Sequence, residues 1–292
     1  MNFAELKKQS NSTNIEKLVN ELQKQNKSYV DDRFWTCPID DKTGNGTAII
    51  RFLPASHDNP LPWVTYYHHS FQGPGGWYIE NSRTTIGESD PVTEINSELW
   101  ATGIEANKEI VRKRKRKQSY VSNILVIEDP KNPQNEGNVF LYRYGKKIFG
   151  KIQEKLQPEF QGDQAIDIFD FWQGANFKLK VKKVEGYPNY DSSFFEAQTP
   201  LLEGDDEKLE ALWKTQYNLS EFVDPKNFKS YADLKARMER VLGMKKASAG
   251  PETPAPAMPI ASKSEDNDDS TPWSDNDGDD DALNYFEGLK NR

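Results

Sequence analysis

Alternating apolar and polar residues through the middle of the chain predict a mainly β protein. Phe177–Lys182 alternates phenylalanine, leucine and valine with lysine, and Trp63–His69 and Asn138–Tyr144 show a similar two-residue period. Because neighbouring side chains of a strand point to opposite faces, each segment presents one face to a core. Tyr120–Ile127 is a longer strand-like run, and the turn signal Gly44–Gly46 precedes another. Many short strands at near-regular spacing predict a small barrel or sandwich.

Helical patterns are few. They predict helices over about 146–156, 205–217 and 230–243. Near the N-terminus, Ser12–Asn14 forms a cap-like start for a helix over 15–25. The expected fold class is therefore mainly β with a few helices.

Composition divides the chain into three predicted regions. Residues 1–25 form a polar, basic arm, residues 26–245 form the folded core, and residues 246–292 form an Ala/Pro/Ser-rich linker followed by an acidic tail. The third region has too little apolar surface to fold alone, so we expect it to be disordered. Within it, the short apolar cluster Ala282–Leu289 is typical of a docking peptide.

The net charge of −8 is concentrated in that tail. Residues 263–292 hold ten Asp or Glu against three Lys or Arg, which gives this segment a net charge of −7. The rest of the chain is close to neutral. A locally basic surface that binds nucleic acid is therefore compatible with an acidic protein.

Composition also limits the expected cellular location of the protein and the kinds of disulfide and metal site that it can hold. Apolar residues make up 35% of the chain, and no segment reaches the roughly 20 apolar residues that cross a bilayer. Residues 1–10 lack the apolar run of a signal peptide, so an intracellular location is expected. Cys37 is the single cysteine, which excludes an internal disulfide and a cysteine-rich zinc site.

Six consecutive bases, Arg112–Lys117, are the most informative segment, and they precede the strand-like run that begins at Tyr120. Sequence-tolerant binding of a single strand requires basic residues that follow the phosphate backbone. It also requires nearby aromatic rings on which nucleobases stack. Two other interpretations stay open. One is a solvated charge run without a ligand, and the other is a nuclear-localisation signal.

Four tyrosines lie close to basic residues elsewhere. Tyr142 and Tyr144 alternate with Arg143, so both rings share one face of the strand and Arg143 lies on the other. Tyr187 and Tyr190 follow the basic strand Phe177–Lys182. We predict that these rings stack on nucleobases, because a buried tyrosine is unfavourable unless its hydroxyl finds a partner. The alternative is that tyrosines at a two-residue period face the core.

Several blocks in matching order and spacing resemble the helix-destabilising, single-stranded-DNA-binding replication proteins of T-even-type bacteriophages. They span about residues 30–245 and include Ala48–Pro54, Trp77–Glu80, Asn123–Val126, Tyr142–Ile148 and Gly174–Phe177. The resemblance implies a monomeric OB-fold barrel core. It further implies a cleft, lined by bases and stacking aromatics, that binds single-stranded DNA without catalysis.

The resemblance and the basic run together define the candidate DNA-binding residues, which are Arg51, Trp100, Arg112, Lys113, Arg114, Lys115, Arg116, Lys117, Tyr120, Tyr142, Tyr144, Lys146, Tyr187 and Tyr190. Trp100 stands where the family has a tyrosine. Val121 replaces a tryptophan, and Ile110 or Val111 replaces a tyrosine. Part of the family's stacking set is therefore missing, and we expect the longer basic run to compensate.

The family's zinc site uses one histidine and three cysteines. His69 matches the histidine, but Ser82 stands at the first cysteine position and Asp90–Thr93 replaces the Cys-Pro-Val-Cys motif. No thiolate remains there, so we expect no zinc and no other cofactor, and we interpret His69 as a structural residue. A nitrogen/oxygen metal site that includes His68 stays open, although adjacent strand residues point to opposite faces.

The resemblance also predicts partners. Lys7, Lys8 and Ser10 in the arm are candidates for cooperative self-association along DNA. The acidic tail is expected to compete with DNA for the basic cleft and to recruit replication proteins such as a polymerase, a helicase loader or a recombination mediator. The expected role is to coat and protect single-stranded DNA in phage replication, recombination and repair, in the cytoplasm of the infected bacterial host.

The sequence also bears on two other classes of function. An enzyme such as a nuclease is disfavoured, because the acids of the core form no evident metal-binding cluster in sequence and a phosphate-binding Gly-x-x-x-x-Gly-Lys-Ser/Thr loop is missing. An RNA-binding protein or replisome scaffold that acts mainly through its tail stays open, because stacking alone does not separate DNA from RNA.

Overall fold

A nine-stranded sheet organises the residues that the computed structural model describes, which are 31–56, 59–160 and 162–244. The strands are β1 Phe34–Trp35, β2 Gly46–Phe52, β3 Trp63–Gly73, β4 Gly76–Asn81, β5 Lys117–Glu128, β6 Val139–Tyr144, β7 Ala175–Val184, β8 Tyr187–Asn189 and β9 Phe194–Gln198. The α-helices of this part are α1 Pro91–Ala101, α2 Glu105–Arg114, α3 Lys146–Leu156, α4 Asp206–Lys214 and α5 Tyr231–Leu242. The predicted mainly β class is confirmed. The predicted helix over 15–25 and the acidic tail lie outside the described residues.

The prediction that helices are limited to three segments is wrong, because α1 and α2 form between β4 and β5. The Asp90 carboxylate caps α1 by accepting hydrogen bonds from the amides of Val92 (3.1 Å) and Thr93 (3.0 Å), and Pro91 occupies the first turn. This Asp–Pro pair is a recognised helix start that was available in the sequence. α2 begins after Ile104 without a side-chain cap, so no comparable signal marks its start.

β5 is the strand around which the sheet is built. One of its edges pairs with β6, and the other pairs with β3 over Lys117–Ser122 and then with β2 over Ile124–Glu128, all antiparallel. β2 also pairs with β7, which carries β8 and β9, whereas β4 pairs with β3. A register shift between Ile49 and Ile50 marks a β-bulge in β2, and bulges bend a strand. The exchange of partners along β5 favours a curved sheet, and the OB-type barrel stays a prediction.

The main core lies on one face of this sheet, around the fully buried ring of Phe52. Five aromatic rings have centroids 5.5–6.3 Å from it, and they belong to Tyr142, Tyr144, Phe169, Phe177 and Phe195. The alternation predicted over Phe177–Lys182 is confirmed, because Phe177, Leu179 and Val181 are buried in this core while Lys180 and Lys182 are exposed.

A second apolar cluster joins the β3–β4 hairpin to α1 and α5, and its buried members are Phe71, Tyr78, Val92, Met238 and Val241. The turn of this hairpin lies directly against the end of α5. A Cβ atom added at Gly73 or Gly75 would collide with the backbone carbonyls of Val241 and Arg240, so only glycine allows this approach. The hairpin and α1 in turn contact α2, which carries the basic run.

Candidate nucleic-acid interface

The basic run 112–117 spans the junction between α2 and β5. Its first three residues form the last turn of α2, where the negative end of the helix dipole favours cations. The extended backbone of Lys115 ends the helix, and Lys117 begins β5. Arg112, Lys113 and Arg116 have exposed side chains. The run therefore presents its charge where a folded helix passes into a folded strand.

Two arginines of the run lie over aromatic rings contributed by β3. The guanidinium carbon Cζ of Arg116 is 3.8 Å from the centroid of the Tyr67 ring, and Nη1 of the same arginine donates a hydrogen bond to Thr84 Oγ1 at 2.9 Å. Cζ of Arg114 is 5.7 Å from the centroid of Phe71. Both contacts of Arg116 are with neutral groups, so they hold the guanidinium in place without cancelling its charge.

Trp100 of α1 is the third ring beside the run. The Lys108 ammonium lies 5.5 Å and the Arg112 guanidinium 5.9 Å from its centroid, within the range of cation–π attraction. Arg112 also donates to the carboxylates of Glu105, at 2.7 Å, and Glu109. Arg112 is thus held next to Trp100 while part of its charge is compensated, which leaves Arg116 as the less compensated arginine.

The remaining exposed candidates lie in a second region, formed by α3 and the segment in and after β8. Lys146 is the exposed first residue of α3, and Tyr187 is 48% exposed. Tyr190 is partly buried against the main core. The ammonium of Lys147 is 3.9 Å from the carboxylate of Asp191, which places the start of α3 beside this segment. The predicted site residues therefore separate into two groups.

Three predicted stacking tyrosines are core residues instead. Tyr142 and Tyr144 are only 5% and 2% exposed, and burial raises the pKa of both phenols. The Tyr144 hydroxyl is hydrogen-bonded to Ser122 Oγ at 2.9 Å, which removes the penalty expected for a buried phenol. Tyr120 is buried as well, with its ring stacked on Phe149 at 3.9 Å between centroids. For Tyr142 and Tyr144 the structure has the arrangement of the alternative interpretation, with both rings facing the core.

Arg51 and Lys117, two predicted phosphate contacts, are also buried. Nη2 of Arg51 donates to the carbonyl oxygens of Asp170 (2.9 Å) and Thr199 (3.0 Å), and desolvation lowers the pKa of this guanidinium to about 10. Arg51 therefore ties β2 to two neighbouring segments. Lys117 is only 8% exposed and pairs with His68 across the β3–β5 ladder. Their positions inside the sheet leave almost none of either side chain exposed to a ligand.

Sequence reasoning missed Tyr67 and Arg143. Tyr67 meets Arg116 because the β3–β5 register sets Tyr67 opposite Gln118, and no local pattern reveals such a register. Arg143 points away from the tyrosines of β6, as predicted, and its Nη1 is 3.3 Å from the Tyr66 hydroxyl. The strand alternation was the signal that could have added Arg143 to the candidate surface.

His69 is enclosed by hydrogen-bonding groups. Its Nδ1 is 3.1 Å from the carbonyl oxygen of Arg114, and its Nε2 is 3.3 Å from Asp90 Oδ1 and 3.4 Å from Thr93 Oγ1. Ser82, fully buried, also hydrogen-bonds the Asp90 carboxyl. Residues at the four positions that the resemblance aligns with zinc ligands therefore lie together in the structure.

These residues do not fit the zinc site that the resemblance implies. His69 supplies one nitrogen, the other three positions hold oxygen atoms, and Asp90 Oδ1 is already occupied as the cap of α1. Cys37 packs against the main core. Across residues 31–56, 59–160 and 162–244, no group of three or more His, Cys, Asp and Glu is arranged to hold a metal ion. The predicted absence of zinc remains a proposal.

The fold and this surface define a class of protein. Basic side chains beside aromatic rings at the surface of a β-sheet are the groups with which proteins bind nucleic-acid strands through phosphates and stacking. None of the helices in the described part of the chain has the length and hydropathy needed to span a membrane.

Comparison with known proteins gives the family. The sequence model described as "gp32 DNA binding protein like" matches residues 44–242. The single-stranded DNA-binding proteins of Enterobacteria phages T2 and T4 are each 42% identical to this chain over 209 residues, which cover 70% of the chain and 68% of each relative. A shorter match, 46% identical over 50 residues, links 17% of the chain to 44% of the single-stranded DNA-binding protein of Escherichia phage SV14. The chain belongs to the gp32-like DNA-binding protein family, and the predicted resemblance is confirmed.

Proposed function

We propose that the protein binds single-stranded DNA without sequence preference along the surface where α2 passes into β5. The observation that carries this proposal is the placement of Arg112, Arg114 and Arg116 against the rings of Trp100, Phe71 and Tyr67. Guanidinium groups held in this way are ready to bind phosphates, since little side-chain freedom is left to lose on binding. The names of the phage relatives, all single-stranded DNA-binding proteins, support the same conclusion.

The exposed and half-buried residues of the two groups make different contacts with the DNA. Lys113 and Arg116, with half-buried Lys115, contact phosphates, and Trp100 supplies a stacking face. Lys146, Tyr187 and Tyr190 extend the path as a second set of contacts. Phosphate contacts and stacking carry little sequence information, so binding is tolerant of sequence. No catalytic step is part of this function.

The wider role follows the family. The core is an OB-type barrel, and the strand exchange along β5 supports this. Lys7, Lys8 and Ser10 of the arm mediate cooperative binding of successive copies along DNA. The acidic tail competes with DNA for the basic surface and recruits replication proteins, so that the protein coats single-stranded DNA during phage replication, recombination and repair in the cytoplasm of the infected host.

Binding to poly-dT, poly-U and duplex DNA tests this function most simply. We expect poly-dT to bind much more tightly than duplex DNA, with the logarithm of the affinity falling linearly against the logarithm of the salt concentration. Equal affinity for duplex DNA would overturn the proposal. Tighter binding to poly-U would favour the RNA-binding alternative.

Removal of residues 263–292 tests the role of the tail. Because a tethered polyanion competes with DNA at high effective concentration, the truncated protein should bind DNA more tightly at low salt, and the gain should shrink as salt rises. A truncated protein with unchanged affinity at low salt would contradict competition and favour a tail that acts only on protein partners. Binding isotherms of the full and truncated chains at three salt concentrations make the comparison.

A further inference from the structure

The end of α2 is held by two buried side chains. The carbonyl oxygen of Arg114 lies 3.1 Å from Nδ1 of His69 and 3.1 Å from Nδ2 of Asn96. A carbonyl oxygen only accepts hydrogen bonds, so Nδ1 of His69 carries a proton in this contact. The last carbonyls of a helix have no partner within the helix, and here two donors from β3 and α1 satisfy one of them.

A second layer fixes His69 itself. The side chains of His69 and Asp90 are each 1% exposed, and His69 Nε2 is 3.3 Å from Asp90 Oδ1. The other carboxylate oxygen, Oδ2, accepts from the backbone amide of Arg83 at 3.3 Å. Although burial acts to raise it, the pKa of the Asp90 carboxyl is lowered to about 2, because its ionised form accepts a hydrogen bond from Nε2 of His69. His69 carries a proton on each ring nitrogen when both of its contacts are made. Buried polar groups are costly unless they are bonded to each other, and these are.

We propose that His69, Asn96 and Asp90 form a metal-free clamp that positions the basic run. The clamp lies where the resemblance implies a zinc site, which the residues present do not fit. The clamp joins β3, the turn before α1, the middle of α1 and the end of α2. His69 and Asn96 are positioning residues, since they contact the backbone of Arg114 and not the ligand. The effect on DNA binding rests on the function proposed above, whereas the clamp itself does not.

Hydrogen exchange of the free protein tests the clamp without any ligand. In His69→Ala and Asn96→Ala, amides 112–118 should exchange roughly tenfold faster than in the wild type, which corresponds to the loss of one buried hydrogen bond. Asn123→Ala is the matched control, because Asn123 Nδ2 makes a similar bond to the carbonyl oxygen of Tyr217 at 2.9 Å. This control should leave exchange at 112–118 unchanged. Unchanged exchange in both clamp variants would overturn the proposal.

His69→Asn provides a rescue, because the asparagine amide nitrogen can take the position of Nδ1 and keep the donation to Arg114. Its exchange at 112–118 should be closer to the wild type than that of His69→Ala, and equal exchange in the two variants would contradict a positioning role. Thermal unfolding of the wild type should be the same with a chelator and with added zinc. A transition that rises with one equivalent of zinc would overturn the metal-free clamp.

Binding of poly-dT then separates the clamp from the function. His69→Ala and Asn96→Ala should show a smaller salt dependence of affinity than Asn123→Ala, because fewer lysine and arginine side chains are then held close to the DNA phosphates. Faster exchange at 112–118 with unchanged DNA binding would keep the clamp and contradict the proposed site. A wild type that fails to bind poly-dT would remove the proposed function and leave the exchange test valid.

Discussion

Basic residues lie beside aromatic rings in two parts of this chain, the basic run and β6. The two parts differ in where the rings lie. In the basic run, consecutive arginines and lysines reach the surface and meet the rings of Tyr67, Phe71 and Trp100, which come from other elements. In β6, Tyr142 and Tyr144 alternate with a base, and both rings enter the core. Alternation in a strand sends its two residue types to opposite faces. Basic side chains and aromatic rings that can contact the same ligand therefore come from different elements that pack side by side.

Replacement of Tyr142 by alanine should have the largest effect. This ring packs in the main core at 5.5 Å from Trp35 and 6.3 Å from Phe52, so its loss leaves a cavity. The free energy of unfolding should fall by about 3–5 kcal/mol in denaturant titrations. The control is Tyr187→Ala, which removes an exposed ring and should change stability by no more than about 0.5 kcal/mol. A similarly small loss of unfolding free energy in both variants would contradict the burial of the Tyr142 ring.

His68 offers a smaller, pH-dependent test, because it lies between the two segments. Burial, aided by the positive charges of Arg143 and Lys117, lowers the pKa of His68 to about 3. The unfolded chain, with a histidine pKa of about 6.5, binds the extra proton first, so stability falls as pH drops from about 6.5 towards 3. Between pH 6.5 and 5 the wild type should lose about 1–2 kcal/mol more than His68→Gln. Parallel curves would show that His68 is not held neutral by its surroundings.

Strands β2, β3, β5, β6 and β7 and three of the helices could be predicted from the sequence, since alternation and apolar spacing are local. The short strands β1, β8 and β9 were not predicted. Helix α1 could also have been predicted, because Asp90 and Pro91 form a helix start signal. Helix α2 could not, since its start is uncapped and its last turn, with three bases, has no strong apolar stripe. The exchange of partners along β5 could not be predicted either, because β2 and β3, which share one of its edges, are distant from it in sequence.

The exposure of a candidate site residue could be predicted where its charge keeps it in water. It could not be predicted where packing against other elements determines burial. Consecutive bases cannot all be buried, so most of the run had to reach water. For Arg51 the outcome depended on whether the second face of β2 is covered, which a single strand does not reveal. The same holds for Tyr144, whose burial is favourable only because Ser122 supplies a hydroxyl on the neighbouring strand.

The salt dependence of poly-dT binding by a Lys113→Ala/Arg116→Ala variant tests the central claim most directly. Both side chains are exposed, and neither is expected to support the fold, so stability should change by no more than about 1 kcal/mol. If each contacts one phosphate, the slope of log affinity against log salt should fall by about 1.4. Lys226→Ala, which removes an exposed base from a 3₁₀ turn outside the proposed surface, should keep the wild-type slope. An unchanged slope in the double variant, or an equal loss in Lys226→Ala, would contradict the assignment of DNA binding to the basic run.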